Sequence, residues 1–348
     1  TRFVQRGAGG EVKRELPKAG FAEAFQAILG ALTAKDTGVI GSPGEVSVVA
    51  HRVVHGGEKF SKPAIIDDAA LRTIEELIPL APLHNPANVT GIRVMRELLP
   101  EVPQVAVFDT AFHQTMPARA FHYALPAEFY RSYGVRRYGF HGTSHEFVAG
   151  EAARYLGRPP DALNLITLHL GNGASLAAVQ DGKSVDTTMG FTPVAGVPMS
   201  TRSGDLDPGL VWYLARAEKM SAKQLNEMVN FQSGLLGVSE TSSDMRDLLD
   251  RETQDVRAAE AVALFCYQVK KWIGAFAAAL GGLDILVFSG GIGENAPTVR
   301  ARICDGLGFL GIEIDEKQNG AGGAVISGFS MLMILSFTSA SIILQLSH

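Results

Sequence analysis

The stretch that decides the fold spans residues 165–209 and reads LITLHLGNGASLAAVQDGKSVDTTMGFTPVAGVPMSTRSGDLDPG. Three runs in its first half have the apolar character of short strands, and they occupy residues 165–170, 174–179 and 184–189. The turn signals Gly171-Asn172-Gly173 and Asp181-Gly182 separate these runs. The pattern therefore predicts two tight hairpins.

The turn at Gly171-Asn172-Gly173 has no bulky side chain, so its backbone N–H groups are accessible to a phosphate. His169 lies just before this turn, and Arg202 lies beyond it in the polar loop STRSGDLDPG. Loops of this kind often carry function. The alternative at this point is an ordinary β-meander with an arginine on its surface, because a single glycine turn has low specificity.

The chain has 348 residues, of which 19% are charged and 46% hydrophobic, and its formal net charge is -5. This length favours two domains, and the composition is that of a soluble globular protein. The acidic balance argues against nucleic acid as a partner and gives weight to individual arginines in an anion site. Cys266 and Cys304 have no metal-ligand spacing and no signal peptide is visible, so we expect free thiols in a cytoplasmic protein.

Two charged residues precede the central stretch and accompany predicted strands. Residues 46–54 form an apolar strand that runs into HRVVHGGEKF, so Arg52 is either a functional group or a charged strand end that reaches solvent. Asp109 follows the predicted strand 104–108, a common position for a catalytic carboxylate in α/β sheets. A helix or turn cap is the alternative for Asp109.

The segment RRYGFHGTS at 136–144 contains His141, and His145 follows four residues later. This spacing allows a pair of metal ligands on a helix. Gly142 and Thr143 instead favour a loop or a helix start at this place. A histidine in a glycine-flanked loop is then a hydrogen-bond donor to an anion.

Later segments complete the α/β pattern. Helices are predicted at 21–32, 67–78, 208–217 and 255–280, with a turn at 234–237 and a capped helix start at 242–249. The strand 284–288 leads into SGGIGENAP at 289–297, a glycine loop with Asn295 as the cap and Pro297 near the first helical position. This arrangement aims a helix N-terminus at an anion.

The C-terminal tail differs in composition from the rest of the chain. No charged residue follows Lys317, and residues 324–346 are almost wholly apolar or small. Their length alone would indicate a membrane span, but the five serines and the absence of a basic flank argue against one. We interpret the tail as a changed reading frame in the source sequence, with a divergent natural terminus as the alternative.

Eight motifs in unbroken order resemble those of the acetate kinases, the acetokinase branch of the actin/sugar kinase/Hsp70 superfamily. They are HRVVHGGEKF, LAPLHNPAN, FDTAFHQTMP, RRYGFHGTSH, LHLGNGAS, MSTRSGDLDPG, SSDMRDL and SGGIGEN, within residues 46–316. The resemblance implies an α/β fold of two duplicated ribonuclease H-like (actin-like ATPase) domains with a cleft between them. The expected domains are residues 1–112 and 113–316, followed by the tail 317–348.

The resemblance also implies a reaction, the reversible transfer of the ATP γ-phosphoryl group to acetate, giving acetyl phosphate and ADP. Arg52 and Arg202 are then expected to flank the phosphoryl group, and His141 to stabilise its charge. Asp109 matches an acidic residue that orients or deprotonates the acceptor. Because acetate is already a carboxylate and needs no base, we favour the orienting role for Asp109.

Two residue sets follow from the same resemblance. The residues implied to bind acetate are Arg52, Val54, Leu83, His84 and Pro193. Those implied to bind the nucleotide are His169, Leu170, Gly171, Asn172, Gly173, Asp244, Met245, Arg246, Gly291, Ile292, Gly293, Glu294 and Asn295. The family uses Mg²⁺, but its ligands lie in an N-terminal phosphate loop upstream of the first residue and in a C-terminal acidic motif that the tail replaces. We therefore assign no metal ligand.

The family further implies a homodimer without a membrane or nucleic-acid partner. A propionate or short-chain acyl kinase is the close alternative, because one methylene in an apolar pocket changes binding by only ~1–3 kcal/mol. A non-catalytic nucleotide-binding clamp of the same superfamily is the second alternative. The presence of Arg52, Asp109, His141 and Arg202 favours an enzyme, since a clamp does not need to stabilise a transition state.

Overall fold

The computed structural model describes residues 2–7, 10–15, 20–327 and 333–336. The chain divides into two compact units, residues 1–111 and residues 112–348. Each unit has its own sheet and its own buried apolar cluster.

The first unit contains a hairpin and a three-stranded sheet. The strands β1 (Arg2–Gly7) and β2 (Gly10–Glu15) pair antiparallel as the hairpin. The three-stranded sheet has the order β3 (Val49–Val53), β5 (Gln104–Phe108) and β4 (Ala64–Ile65). In it β3 runs parallel to β5, and β4 antiparallel. The sequence pattern does not predict the hairpin, because this segment is polar and rich in glycine.

Three helices accompany this sheet, α1 (Phe21–Leu32), α2 (Asp68–Glu76) and α3 (Asn85–Leu98), with 3-10 turns at Pro43–Glu45 and Ile78–Leu80. The apolar stripe of α1 predicts both of its ends correctly. Asp67 caps α2 by accepting a hydrogen bond from the Ala70 N–H at 2.7 Å. Val53, Ile74, Ile92 and Phe108 form the centre of the core between the helices and the sheet.

The second unit is built on a five-stranded sheet. Its order is β10 (Met333–Ser336), β9 (Ile285–Ser289), β6 (Asn164–Leu170), β7 (Ala174–Gln180) and β8 (Lys183–Thr187). The strands β6, β7 and β8 pair antiparallel through the two predicted hairpins, which the structure confirms. The strands β9 and β10 run parallel to β6. Most residues of β6, β7 and β9 are buried, as expected for a sheet covered on both faces.

Helices surround the sheet of this unit. They are α4 (Ala118–Phe121), α5 (Ala127–Tyr133), α6 (Gly142–Leu156), α7 (Pro208–Ala217), α8 (Ala222–Phe231), α9 (Gly234–Ser239), α10 (Met245–Arg251), α11 (Val256–Leu280), α12 (Gly290–Asn295), α13 (Pro297–Cys304) and α14 (Glu316–Ala321). Short 3-10 turns occur at Phe112–Thr115, Pro160–Ala162 and Gly308–Leu310. The apolar stripe of α11 packs in the core, as its periodicity predicts.

Two predicted connections are wrong. The expected turn at 234–237 is the start of α9, because the Leu235 N–H donates to the Met199 carbonyl and the Gly237 N–H donates to Ser233, which closes a helical turn. The expected glycine loop after β9 is the helix α12. Asn295 is the last residue of α12 and donates to the Gly291 carbonyl at 2.9 Å, so Ala296 occupies the N-cap of α13.

Gly290 explains how α12 begins directly after a buried strand. Its φ is 77°, in the left-handed region, and a Cβ at this position would lie 2.7 Å from the Leu170 carbonyl oxygen. Only glycine allows the ends of β6 and β9 to approach so closely. The turn at the end of β6 and the start of α12 thereby become neighbours.

The tail contributes one strand to the second unit. Residues Met333–Ser336 form β10, and Ile334 pairs with Leu286 of β9. The parts of the predicted uncharged tail at 328–332 and 337–348 lie outside the described residues. Among the helices that are described, none combines the length and the hydropathy that a membrane crossing requires.

The two cysteines lie in helices and are free, as the sequence predicts. Cys266 lies on α11 and Cys304 ends α13. Burial raises the pKa of the Cys266 thiol to about 11 and that of Cys304 to about 12. Both thiols are therefore protonated and unreactive at neutral pH.

Candidate active site

In the first unit, Arg52 and Asp109 form a bidentate ion pair at the ends of β3 and β5. The Arg52 Nε donates to Asp109 Oδ1 at 2.8 Å, and Nη2 donates to Oδ2 at 2.7 Å. The Asp109 side chain is only 3% exposed, whereas that of Arg52 is 65% exposed. These hydrogen bonds raise the pKa of the Arg52 guanidinium above its ordinary value. Asp109 is thus an ion-pair partner rather than the side-chain cap of a helix.

The chain beyond β3 is held by side chains that sequence reasoning did not select. The Asn88 Oδ1 accepts from the Val54 N–H at 3.1 Å, and its Nδ2 donates to the Arg52 carbonyl at 3.2 Å. Asn85, fully buried, makes the same pair of bonds with the backbone of His55. These two amides replace a neighbouring strand and fix the backbone beside Arg52. The sequence feature that could have identified these side chains is the pair of asparagines in the motif LHNPAN.

The residues expected to bind acetate differ in exposure. Val54 is half-buried on the backbone that Asn88 holds. Leu83 is 52% exposed and lies before α3, while His84 occupies the N-cap position of that helix. Pro193 lies in the second unit, where its carbonyl accepts a hydrogen bond from Arg202 Nη1 at 3.2 Å.

In the second unit, His141 has the left-handed conformation at the N-cap of α6, with φ 57°. Such a conformation is uncommon for a residue other than glycine and is found at functional sites. Of the loop and the helix start that Gly142 and Thr143 favoured, the structure has the helix start, at Gly142. The His141 ring lies 4.3 Å from that of His169, between centroids, and its Nδ1 lies 2.8 Å from the Ser175 hydroxyl.

Arg202 differs from Arg52 in its partners. It is half-buried, and it forms no ion pair with any carboxylate in the part of the chain that the structure describes. Its Nη1 donates to the Pro193 carbonyl and approaches the Met199 sulfur at 3.7 Å. Burial lowers the pKa of Arg202, which stays charged because its ordinary value is far above neutrality. An unneutralised cation in this position favours binding of an anion.

Gly173 brings His141 and Arg202 together. A Cβ built on Gly173 would lie 3.2 Å from His141 Nε2 and 3.4 Å from Arg202 Nη1. A nitrogen of each side chain therefore borders the same point at the β6–β7 turn. The Gly-Asn-Gly sequence supplies this close approach, in addition to the tight turn that it predicts.

Three sequence segments predicted to bind the nucleotide line one cavity of about 410 Å³ in the second unit. Its lining residues are Gly171, Asn172, Ser200, Asp244, Met245, Arg246, Gly291, Ile292, Asn295 and Ala296. Ser200 and Ala296 were not selected from the sequence. Leu170 and Gly293 are buried beneath these segments, His169 lies against His141, and the Glu294 carboxylate accepts from the Gly290 N–H at 3.1 Å.

The Asp244 side chain both caps α10 and pairs with Arg246. Its Oδ1 accepts from the Arg246 N–H at 2.9 Å, and its Oδ2 accepts from Arg246 Nη2 at 2.7 Å. The hydrogen bonds from Arg246 lower the pKa of the Asp244 carboxyl. The pair presents a planar, exposed guanidinium at the rim of the cavity, where it can contact a base or a ribose.

Arg300 supports the same cavity from within the core, and sequence reasoning missed it. Its side chain is buried, and Nη1 donates to the carbonyls of Gly293 and Glu294 at 2.8 Å each. Nε and Nη2 donate to Asn319. A cation at these carbonyls stabilises the C-terminal end of α12. No local pattern identifies Arg300, because its partners become neighbours only in the folded unit.

The described residues do not form a magnesium site of their own. Within the described ranges no three His, Cys, Asp or Glu side chains gather as a metal-binding group. Both oxygens of Asp109 accept from Arg52, so in this arrangement the carboxylate is the ion-pair partner of the guanidinium. His141 and His145 contact the Ser175 hydroxyl, so the suggested metal pair is replaced by hydrogen bonds. No step is therefore assigned to a protein-held metal.

Comparisons with known proteins show the family of the chain. A family profile described as the acetokinase family matches residues 2–336. An acetate kinase of Symbiobacterium thermophilum is 52% identical over 329 residues, which cover 94% of this chain and 83% of the relative.

Solved structures show the same family and its fold. The acetate kinase of Porphyromonas gingivalis covers 100% of this chain and 90% of its own, at 42% identity and a TM-score of 0.91. A propionate kinase of Francisella tularensis covers 97% and 86%, at 39% identity and a TM-score of 0.90. The fold is thus that of the actin-like ATPases, built here into a kinase. The chain belongs to the acetokinase family.

Proposed function

We propose that this chain is an acetate kinase, which transfers the γ-phosphoryl group of ATP to acetate and forms acetyl phosphate and ADP. The observation that carries the proposal is the 52% identity to an acetate kinase over 94% of the chain. The cavity lined by residues 171–172, 200, 244–246, 291–292 and 295–296 is large enough for a nucleotide, which supports this donor. ATP is the phosphoryl donor of this family, and its use favours a cytoplasmic location.

The proposed mechanism depends on position and charge rather than on a covalent intermediate. Arg202 and His141 donate hydrogen bonds to the oxygens of the phosphoryl group and stabilise the charge that develops there. Arg52 contacts the same group or the acceptor, and Asp109 fixes the guanidinium plane through two hydrogen bonds. Acetate is already ionised, so the reaction requires no strong base. When Mg²⁺ is bound, as the ATP complex, it neutralises part of the phosphate charge.

The acetate site is proposed at Val54, Leu83, His84 and Pro193. Val54 and Leu83 provide apolar surface for a methyl group. A propionate kinase is the second candidate, because its structure superposes almost as well as that of an acetate kinase. One extra methylene changes binding in an apolar pocket by ~1–3 kcal/mol, so the same residues serve either acid with a moderate preference.

The experiment measures ADP formation by the purified chain with and without acetate, and traps acetyl phosphate as its hydroxamate. An acetate kinase forms both products in equal amounts and forms ADP slowly without acetate. ADP formation that does not depend on acetate would indicate an ATPase clamp. A higher kcat/KM for propionate than for acetate would select the second candidate. Omission of Mg²⁺ should abolish both products.

A homodimer is also proposed, and α7 is the surface that supports it. This helix, PGLVWYLARA, buries none of its residues, and Trp212 and Tyr213 are each 62% exposed. Leu206, Leu210 and Val211 beside them are exposed as well. Contiguous exposed apolar surface of this kind marks a protein interface. A second copy of the chain is the proposed partner.

Sedimentation equilibrium of Trp212→Glu tests the dimer, because a buried charge in the interface would favour the monomer. Tyr155→Glu is the matched control, since Tyr155 is an exposed aromatic residue on a different helix, α6. The wild type and the control should sediment as dimers and Trp212→Glu as a monomer. A wild-type monomer, or a dimer of Trp212→Glu, contradicts the proposed interface.

A further inference from the structure

Four histidines of the second unit lie close together, and the hydroxyl group of Ser175 connects two of them, His141 and His145. Ring centroids are separated by 5.7 Å between His113 and His145, 6.5 Å between His145 and His141, and 4.3 Å between His141 and His169. The Ser175 hydroxyl oxygen lies 2.8 Å from His141 Nδ1 and 2.8 Å from His145 Nε2. The Thr167 hydroxyl lies 2.8 Å from His145 Nδ1.

The tautomer of His113 follows directly from its partners. Its Nε2 lies 3.0 Å from the Phe140 carbonyl, which only accepts hydrogen bonds, so Nε2 carries the proton. Burial lowers the pKa of His113 to about 4, so the ring is neutral at pH 7 and its Nδ1 accepts from the Ser184 hydroxyl at 2.7 Å. The donors and acceptors of His145 and His141 can be assigned in the same way.

Ser175 links His141 and His145 in opposite senses. Its hydroxyl has one hydrogen and faces two ring nitrogens, and it has no other side-chain partner in the described residues. When it donates to one nitrogen, it accepts from the other. The ring of His145 is fully buried, and burial lowers its pKa well below its ordinary value, so it has one N–H donor and one acceptor nitrogen.

Thr167 determines in which direction the hydrogen bonds from Thr167 to His141 run. Its side chain is fully buried, and within the described ranges its hydroxyl has His145 Nδ1 as its hydrogen-bond partner. If His145 donated to Thr167, the hydroxyl hydrogen of Thr167 would be buried without an acceptor, which is unfavourable. If Thr167 donates to His145, each hydrogen in this series of hydrogen bonds has an acceptor. Nε2 of His145 then donates to Ser175, and Ser175 donates to His141.

We infer that Thr167, His145 and Ser175 form a one-directional hydrogen-bond relay that makes His141 Nδ1 an acceptor and places the proton of neutral His141 on Nε2. These three side chains are positioning residues for the reaction proposed above. Nε2 is the atom that borders Gly173, next to Arg202 Nη1. The relay therefore gives the phosphoryl group an N–H donor from an uncharged imidazole.

This arrangement has a consequence for pH. His169, His145 and Arg202 are titratable or charged groups that lie near His141 in its unit. A neutral imidazole with its proton on Nε2 donates at every pH above its own titration, so its donor function is kept at alkaline pH. Without the relay, Nδ1 can take the proton, and Nε2 would then present a lone pair to the phosphoryl oxygens.

Nitrogen NMR of histidine labelled with ¹⁵N tests the tautomer without any activity measurement. The His141 signals are assigned by their loss in His141→Gln. In the wild type at about pH 8, Nδ1 should be unprotonated and Nε2 protonated. In Ser175→Ala the two nitrogens of His141 should move towards the averaged shifts of exchanging tautomers. A wild-type His141 with its proton on Nδ1 overturns the inference.

Two substitutions at Thr167 separate the relay from packing. Thr167→Val keeps the shape and loses the hydroxyl, whereas Thr167→Ser keeps the hydroxyl and loses a methyl group. The relay predicts that Thr167→Val lowers kcat roughly tenfold at about pH 8.5, and less at a pH low enough to protonate both nitrogens of His141, where Nε2 donates with or without the relay. The kcat of Thr167→Ser should stay within about twofold of the wild-type value at both pH values.

A packing role of Thr167 predicts the reverse order: Thr167→Val would be tolerated, and Thr167→Ser would be impaired equally at each pH. This result would overturn the relay. Thermal denaturation identifies a variant that fails to fold, and NMR of Thr167→Val then repeats the test on the folded fraction. The inference rests on the proposed function only for its kinetic part. If the wild type forms no acetyl phosphate, the proposed function fails while the tautomer of His141 is still decided by NMR.

Discussion

Arg52 and Arg202 are two guanidiniums that the proposed reaction uses, yet their surroundings differ in charge. Arg52 lies against a buried carboxylate that accepts two of its hydrogen bonds. Arg202 is half-buried beside a proline carbonyl and a thioether, and its Nη1 borders the same point at Gly173 as the ring of His141. The first region is therefore electrically balanced before any ligand binds. The second has a net positive charge and gains the most from an anion.

This difference separates two ways of using an arginine. A paired guanidinium is fixed in orientation, and it binds a substrate mainly through the directions of its remaining N–H groups. An unpaired guanidinium in a partly desolvated place acts through its charge, which is screened less there than in water. We therefore expect Arg202 to act mainly on the transition state and the Arg52–Asp109 pair to act mainly on orientation.

Removal of the unpaired charge has the largest expected effect. Arg202→Ala should lower kcat by ~10²–10³-fold, the scale for loss of one preorganised donor, while the KM for acetate changes much less. Arg202→Lys keeps the charge and loses the planar guanidinium, so its kcat should lie between those of the wild type and Arg202→Ala. Steady-state kinetics with both substrates varied provide the measurement. A kcat for Arg202→Ala within threefold of the wild type would contradict the role of this charge.

The neutrality of the buried His113 in the second unit is tested by acid denaturation. The folded-state pKa of His113, about 4, lies below its ordinary 6.5, so the unfolded chain binds more protons between these values. Stability is then unaffected above about pH 6.5 and falls as the pH decreases towards 4. For this group the loss between pH 7.5 and pH 5 is about 2 kcal/mol, or roughly 30-fold in the unfolding equilibrium.

Urea denaturation at both pH values measures this loss, and His113→Gln is the matched variant because its amide can contact both Ser184 and the Phe140 carbonyl. The variant should be less stable than the wild type at pH 7.5 but should lose less stability on acidification. An equal loss in both proteins would show that His113 does not titrate on unfolding.

The next test removes the charge that pairs with Arg52, so that this arginine resembles the unpaired Arg202. Asp109→Asn keeps the shape of the side chain and removes its charge, so the guanidinium is less well oriented. We expect kcat to fall about tenfold at all pH values, as for a misplaced group of moderate effect. Asp68→Asn is the control, because Asp68 also pairs with an arginine, Arg96, at 2.8 Å, in the same unit. A loss above ~10³-fold would instead indicate a general base.

The smallest expected effect concerns the apolar neighbour of Arg52. Val54→Ala should enlarge the space for the acceptor and improve kcat/KM for propionate relative to acetate by a few-fold, because a methylene is worth ~1–3 kcal/mol. The ratio of the two specificity constants is the measurement. Ile65→Ala, at an exposed position in the same sheet, should leave the ratio unchanged. An unchanged ratio in Val54→Ala would remove this residue from the acceptor site.

The fold of the central region was decided by local sequence. The hairpins of β6, β7 and β8, the helix α1 and the apolar stripe of α11 follow from glycine turns and residue periodicity, which act within a few residues. The family could also be predicted from the sequence, because its motifs occur in order along the chain, and the proposed site residues were taken from the same motifs. The connections at 234–237 and 289–297 were not predicted correctly. Glycines there suggested flexible turns, but tertiary hydrogen bonds hold the chain in helices.

Only the tertiary structure decided what the site residues contact. It pairs Arg52 with Asp109 across 57 residues, leaves Arg202 without a carboxylate among the described residues, and joins Thr167, His145 and Ser175 into one chain. It also places the buried Arg300 against α12. Sequence determines which groups are present and how each short segment folds. Charge balance, burial and tautomer depend on distances between segments that become neighbours only when the sheet and its helices pack.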